Sequence, residues 1–200
     1  MPTNQNSSYS GIKSSEVNKI GAYHMIGDDS YEPQRNNNFE MHIYGLNNLF
    51  TVDDNRRIIP SVAEETLILS TVSVGEIATD VGIIEIPYGN TKVKFAGLPS
   101  FSNADIVYND YIGKATERII AAWHGVVFNP NTEKIGRATE YKKLALLIET
   151  APDGSSAREW RLEGVWPKSV RYGNYSYDGN GTVRQITMTL AYDRAIPVDN

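Results

Sequence analysis

The sequence predicts a mainly β protein: an antiparallel β-sandwich or half-barrel with one flanking α-helix. Three observations carry this. Apolar and polar residues alternate over 39–44, 101–108 and 184–192, and Leu144, Leu146 and Ile148 recur at every second position, which is the period of a half-buried strand. Turn signals separate such runs at Pro87-Tyr88-Gly89-Asn90, in "APDGSSA" at 151–157, and at Asp178-Gly179-Asn180-Gly181. A single stretch, "NDYIGKATERIIAAWHGVVF" at 109–128, has helical period.

The elements follow in order. Residues 1–38 are rich in Asn, Ser, Gly and Asp with only short apolar clusters, and read as an extended N-terminal arm that cannot bury a core alone. The β domain runs over 39–200 and opens with "NNFEMHIYGL", where Phe39, Met41 and Ile43 alternate with Glu40, His42 and Tyr44. Residues 47–65 are polar, broken by Pro60, and read as a loop insertion. "TLILSTVSVGEIA" at 66–78 is a β-branched run and reads as a strand. "GIIEIPYGNTKVKFAG" gives a strand, a turn and a second strand with Val93 and Phe95 on one side. In "FSNADIVY", Ala104, Ile106 and Tyr108 are in phase.

On the predicted helix, Ile112, Ala115, Ile119, Trp123 and Val126 form the apolar face. Asn109 or Asp110 is positioned to cap it, and Lys114, Glu117, Arg118 and His124 face water. After a loop at 129–137 comes a hairpin in which Leu144, Leu146 and Ile148 alternate, and "REWRLEGVW" returns the chain. The last pair places Tyr172, Tyr175 and Tyr177 before the DGNG turn. Beyond the turn, Ile186, Met188, Leu190 and Tyr192 share one parity, and Gln185, Thr187 and Thr189 the other. There is no internal repeat and no low-complexity tract.

Two hundred residues suit one domain with an appendage, and 40% apolar with 22% charged residues is ordinary for a soluble globular chain. A net charge of −5 argues against a general nucleic-acid binder, which needs cations to neutralise phosphates. With no cysteine there are no disulfides and no thiolate metal sites. The start lacks an apolar signal-peptide core, and no run of about 18 apolar residues exists. The expectation is a soluble protein made in a cytoplasm, without membrane insertion.

Candidate chemistry is sparse. His24, His42 and His124 have no partner at metal-ligand or HExxH spacing. The pairs Asp28-Asp29, Asp53-Asp54 and Glu64-Glu65 lie in polar, loop-like sequence that gives no reason for separated pKa values. "DGNG" lacks the rest of a calcium loop. The glycines form no phosphate loop or dinucleotide fingerprint, and no GxSxG is present. No catalytic residue, cofactor or metal is expected. Trp123, Trp160 and Trp166 with twelve tyrosines raise one rival, a carbohydrate-binding β-sandwich, although Trp123 and Trp160 sit in phase with apolar neighbours.

Taken in order, several segments resemble the tail tube proteins of contractile-tailed bacteriophages, a family shared with the inner tube proteins of contractile injection systems. They are "SNADIVYND", an amphipathic helix, Glu140-Tyr141-Lys142-Lys143 before a strand, Gly164-Val165-Trp166-Pro167, and the Thr189–Tyr192 end of the last strand. The similarity is collinear over about 36–195, with a longer arm and a longer insertion near 47–65 than compact members have. It implies a structural protein without enzymatic activity, whose hexameric rings stack into a hollow tube inside a sheath and conduct DNA on contraction. Implied partners are further copies of the chain, a tail sheath protein, baseplate and tail terminator proteins, and a tape measure protein or DNA held in the lumen without specific binding. Implied localisation is the tail of a virion assembled in the host bacterial cytoplasm.

A sheet with free edges is an aggregation hazard, and closing the sheets of neighbouring subunits into one barrel removes the edges. On this reading the neutral amides and hydroxyls of Gln185, Thr187 and Thr189 face the lumen, where DNA slides without Lys/Arg–phosphate contacts. The candidates for contacts between rings or subunits are Pro87, Tyr88, Asn90 and Thr91 at the turn, with Ile12, Val17, Ile20 and Met25 in the arm.

Overall fold

Strand alternation organises the core. The computed structural model describes residues 34–49, 62–112, 115–152, 154–177 and 181–198. The chain divides between Asn36 and Asn37, and the account below concerns the unit from Asn37 onward.

In β10 (Gln185–Ala191) Ile186, Met188 and Leu190 are fully buried, and in β5 (Ala104–Asn109) so are Ala104, Ile106 and Tyr108. The two strands pair antiparallel with Ile186 opposite Tyr108 and Met188 opposite Ile106, so the two apolar rows fall on one face. Among the described residues seven strands form one bent sheet in the order β1 (Phe39–Tyr44), β8 (Lys143–Thr150), β9 (Ser156–Arg171), β10, β5 and β2 (Thr71–Val74), with β11 (Arg194–Val198) also on β9.

The bend lies within β9. Residues 156–165 pair with β8, while 166–171 pair with β10. Between them Gly164 is left without a partner in a bulge, at φ +68°. A Cβ there would run into the Asp193 carboxylate, so the corner requires glycine. Two wings of sheet thus fold toward each other around a single core. This is the expected mainly β half-barrel.

The structure corrects four expectations. First, the 47–65 insertion is not wholly loop, and 66–78 is not wholly strand. A 3-10 turn occupies Asn47–Leu49, residues 50–61 lie outside the described residues, and α1 spans Ala63–Ser70. Ala63, Thr66, Leu67 and Ser70 are buried at helical spacing, and Glu64 and Glu65 sit in the first turn, where the helix dipole favours carboxylates. Glu64 Oε1 accepts from the backbone N–H groups of Gly45 (2.7 Å) and Leu46 (3.1 Å), fixing α1 to the end of β1. There is therefore more than one helix.

Second, the main helix α2 is shorter than predicted, Thr116–Val127. Ile119, Ile120 and Trp123 face the core, and the Trp123 indole N–H donates to the Tyr141 carbonyl at 2.9 Å. Ile112 precedes the helix and is fully exposed. Neither Asn109 nor Asp110 caps it, because Asn109 ends β5 and the Asp110 carboxylate accepts from Arg184 at 2.7 Å. A further short helix, α3 (Ala138–Tyr141), follows the two-residue strands β6 (Phe128–Asn129) and β7 (Lys134–Ile135).

Third, the alternation of Leu144, Leu146 and Ile148 does not mark the core face of β8. Ala145 is buried and Leu147 packs on the core, leaving Leu144, Leu146 and Ile148 on the outer face. Both parities are apolar here, so alternation could not choose between them. Pairing did: Ala145 lies between Ile43 and Leu162, both buried. Fourth, the tyrosine stretch before DGNG is not a strand. Tyr172, Tyr175 and Tyr177 belong to the connection from β9 to β10, and Tyr175 and Tyr177 are exposed.

Candidate assembly interface

Two surfaces stand apart from this closed core. The first is a ribbon. Among the described residues β3 (Thr79–Tyr88) and β4 (Thr91–Phe101) pair only with each other, and almost every residue of both is exposed. The base is held where Ser102 N–H donates to the Ala78 carbonyl and where Phe101 and Ile77 pack on the core. Beyond the base, Ile84 lies opposite Phe95, Ile86 opposite Val93 and Tyr88 opposite Thr91, which gathers five large apolar side chains on one face. The other face carries Glu85, Lys92 and Lys94, with Lys92 on Glu85 at 2.9 Å and Lys94 at 3.9 Å.

The ribbon is therefore amphipathic, with its apolar side uncovered: Ile86 is 51% and Tyr88 76% exposed. A lone two-stranded ribbon is marginal in water, and a contiguous exposed apolar patch marks an interaction site. The candidate contact residues sit at its tip. Pro87 and Tyr88 end β3, Gly89 (φ +60°) and Asn90 make the turn, and Thr91 begins β4 with its hydroxyl donating to the Tyr88 carbonyl at 3.0 Å. The predicted turn was right in place. The uncovered apolar face is what the sequence reading missed, although Ile84, Ile86 and Tyr88 alternating with Glu85 signalled it.

The second surface is the outer face of the β1–β8 wing. Tyr44 lies opposite Leu144, His42 opposite Leu146 and Glu40 opposite Ile148. Next to that apolar row β9 supplies Glu163, Arg161 and Glu159. His42 Nε2 lies 2.8 Å from Glu40 Oε2, and its ring stacks on Tyr44. Lys143, at the start of β8, is held below its usual pKa by partial burial, an effect opposed by the nearby Glu64 carboxylate.

Gln185, Thr187 and Thr189 lie together on the non-core face of the other wing. There Thr189 Oγ1 donates to Asp105 Oδ1 at 2.6 Å, and Gln185 Nε2 approaches Asn109 Oδ1 at 3.4 Å. Their neighbours across β9 and β5 include Arg171, Ser169 and Val107. The face is mostly polar and, with Asp105 and Arg171, close to charge-balanced. Ile12, Val17, Ile20 and Met25 lie outside the described residues.

The two sequence motifs of the resemblance meet at the bend. Tyr141 and Trp166 pack edge to face at 5.9 Å, Val165 is buried, and Lys142 Nζ pairs with Asp193 at 2.6 Å beside Gly164. These residues set the angle between the wings. A second fixing point is Arg184. Its guanidinium binds Asp110 at 2.7 Å, Glu117 at 3.0 Å and the Tyr172 carbonyl at 3.1 Å, with the Tyr175 ring 4.8 Å away. Among the described residues no group of three or more His, Asp or Glu gathers as around a metal ion, and no helix is long and apolar enough to cross a membrane. Trp123 is in the core, and Trp160 and Trp166 are half-buried, so the three indoles form no open platform.

No protein-family model and no curated protein sequence matches the chain. Solved structures do. The chain is similar to one in the cap of the anti-feeding prophage, its tube-terminating cap, at TM-score 0.60 and 15% identity over 88% of this chain and 99% of that one. It is similar to one in the extended sheath–tube complex of an extracellular contractile injection system at TM-score 0.57 and 17% identity, over 84% and 93%. It is also similar to one in the sheath/tube terminator of that system at TM-score 0.60 and 15% identity, over 85% and 99%. The fold is shared with these chains nearly end to end.

Proposed function

We propose that the chain is a structural subunit of the inner tube of a contractile tail, stacked as hexameric rings, with no catalytic role. The observation that carries this reading is the β3–β4 ribbon, whose apolar face has no cover within the described residues of its own chain. A subunit finished by its neighbours explains such a surface, and the nearly full-length likeness to tube and terminator chains supports it. The tube reading implies a sheath protein outside, baseplate and terminator proteins at the ends, and a tape measure protein or DNA within.

Two settings fit. In a phage virion the tube conducts DNA into the host. The polar, nearly charge-balanced face of Gln185, Thr187 and Thr189 then lines the lumen and gives phosphates little to hold. The second setting, an extracellular injection system, is favoured by the likeness at TM-scores of 0.57 and 0.60 to chains of such particles.

Negative-stain microscopy of the purified full chain tests the core of this reading. Rings or rods of constant bore are expected, and a discrete monomer at all concentrations contradicts it. In a phage setting, Thr187→Lys with Thr189→Lys should slow DNA ejection, and unchanged ejection kinetics would remove these residues from the lumen. Deleting residues 1–35 should weaken rod formation through loss of Ile12, Val17, Ile20 and Met25, and normal polymerisation would make the arm dispensable.

A further inference from the structure

We propose that Pro87, Pro99 and Pro197 are edge guards: they keep both edges of the β3–β4 ribbon and the free edge of β11 from accepting a further strand, and so confine association through the ribbon to its apolar face. The inference goes beyond the tube reading and does not depend on it.

Residues of an antiparallel strand point their N–H and C=O alternately at the ladder partner and away from it. Proline has no N–H, so inside a ladder it fits only where its nitrogen points away. The register shows where that is. The two-residue turn Gly89-Asn90 makes Tyr88 and Thr91 the hydrogen-bonded pair that closes the hairpin, so the next pair, Pro87 and Lys92, turns its backbone groups outward. On β4 the register shift sets Gly97 and Leu98 against Gly82, and beyond this bulge Pro99 lies opposite Val81 with its nitrogen facing out of the ribbon. Pro197 lies opposite Trp160 on β11, whose other edge meets no strand among the described residues. In each case the missing donor falls on the unpaired edge.

All three prolines are exposed, whereas Pro167, the other strand proline, is buried in β9 and guards nothing. The guards stand where the hazard is greatest. The ribbon combines two unpaired edges, ten and eleven residues long, with exposed Ile83, Ile84, Ile86, Val93 and Phe95, a composition prone to edge-to-edge stacking. A ring in place of a donor interrupts the row that an incoming strand must match, and on β4 the bulge at Gly97-Leu98 adds a second interruption. β1 and β2, the end strands of the main sheet, carry no proline, so any strand pairing between copies falls to those edges.

The test uses the full chain in two combined variants. Pro87→Thr, Pro99→Thr and Pro197→Thr together restore the outward N–H groups with a residue that favours strands. Pro87→Lys, Pro99→Lys and Pro197→Lys restore the same groups but set a charge on each edge, which is itself a guard. The Thr variant should develop thioflavin T signal and a cross-β reflection at about 4.7–4.8 Å, at least about tenfold faster than the parent at equal concentration. The Lys variant should behave as the parent does. A Thr variant no more prone to cross-β aggregation than the parent overturns the proposal. Equal aggregation of the two variants also overturns it, because the effect then lies in the ring and not in the missing donor. If the combined Thr variant melts below the parent, Pro87→Thr alone decides, since this residue is exposed near the tip and outside the core. It should shorten the aggregation lag at the parent's melting temperature, and an unchanged lag overturns the proposal. Whether the parent forms rods is read separately by microscopy, so failure of the tube reading leaves this comparison intact.

Discussion

The β5–β10 pair and the β3–β4 ribbon are built from the same pattern, yet they end in opposite states. In the first, Ile186, Met188 and Leu190 meet Tyr108, Ile106 and Ala104 and then the second wing and α2, and all six are buried. In the second, Ile84, Ile86 and Tyr88 meet Phe95 and Val93 and then nothing further in the described chain. Alternation specifies which face is apolar, but only a second layer turns an apolar face into a core. Where the chain supplies that layer the result is stability, and where it does not the result is an unsatisfied surface.

The largest expected contrast comes from placing one substitution in each region. Trp123→Ala removes a fully buried ring and its hydrogen bond to Tyr141, and should cost about 3–5 kcal/mol in urea unfolding of the subunit. The double change Ile84→Ser and Ile86→Ser should move subunit stability by no more than about 0.5 kcal/mol. It should nevertheless abolish rods in sedimentation. Equal losses of stability in the two variants would break the comparison.

Gly164→Ala probes the bend that holds the wings apart. A non-glycine residue at φ +68° beside Asp193 should lose about 1–3 kcal/mol, read as a lower urea midpoint with an unchanged slope. The smallest effect concerns the one buried hydroxyl at the centre of β5. Tyr108 Oη has no hydrogen-bond partner among the described residues, and burial raises its pKa. The stability it contributes as a neutral phenol is fully present below the ordinary tyrosine value near 10 and is lost as pH rises toward the raised one. Tyr108→Phe should therefore gain about 1 kcal/mol at neutral pH, and should unfold less steeply above pH 10 than the parent chain.

Much of the fold was legible because several strands have one unambiguous face. Ala104, Ile106 and Tyr108 and the Ile186–Tyr192 row were read correctly, as were both strands of the ribbon. The failures share a cause. Thr66–Ser70 is apolar by composition at both periods, and its helical assignment depends on Glu64 meeting the N–H groups at Gly45 and Leu46, eighteen or more residues away. β8 is apolar on both parities, so its orientation is decided by Ile43 and Leu162 on the flanking strands. Ile112 fits a helical period, but Asp110, engaged with Arg184, is no longer free to start the helix there. As for the candidate interface, the turn at Pro87–Thr91 was visible in local residue chemistry. Its significance was not, since the absence of a covering layer is a property of the whole fold.

Hydrogen exchange over the ribbon, measured on the isolated subunit and again after assembly, tests the central claim most directly. The account predicts that amides in 79–88 and 91–101 exchange at least about tenfold more slowly once rods form, while β5 and β10 are already protected in the subunit. Ribbon amides that exchange equally fast in both states would show that nothing covers this face, and the account would be wrong.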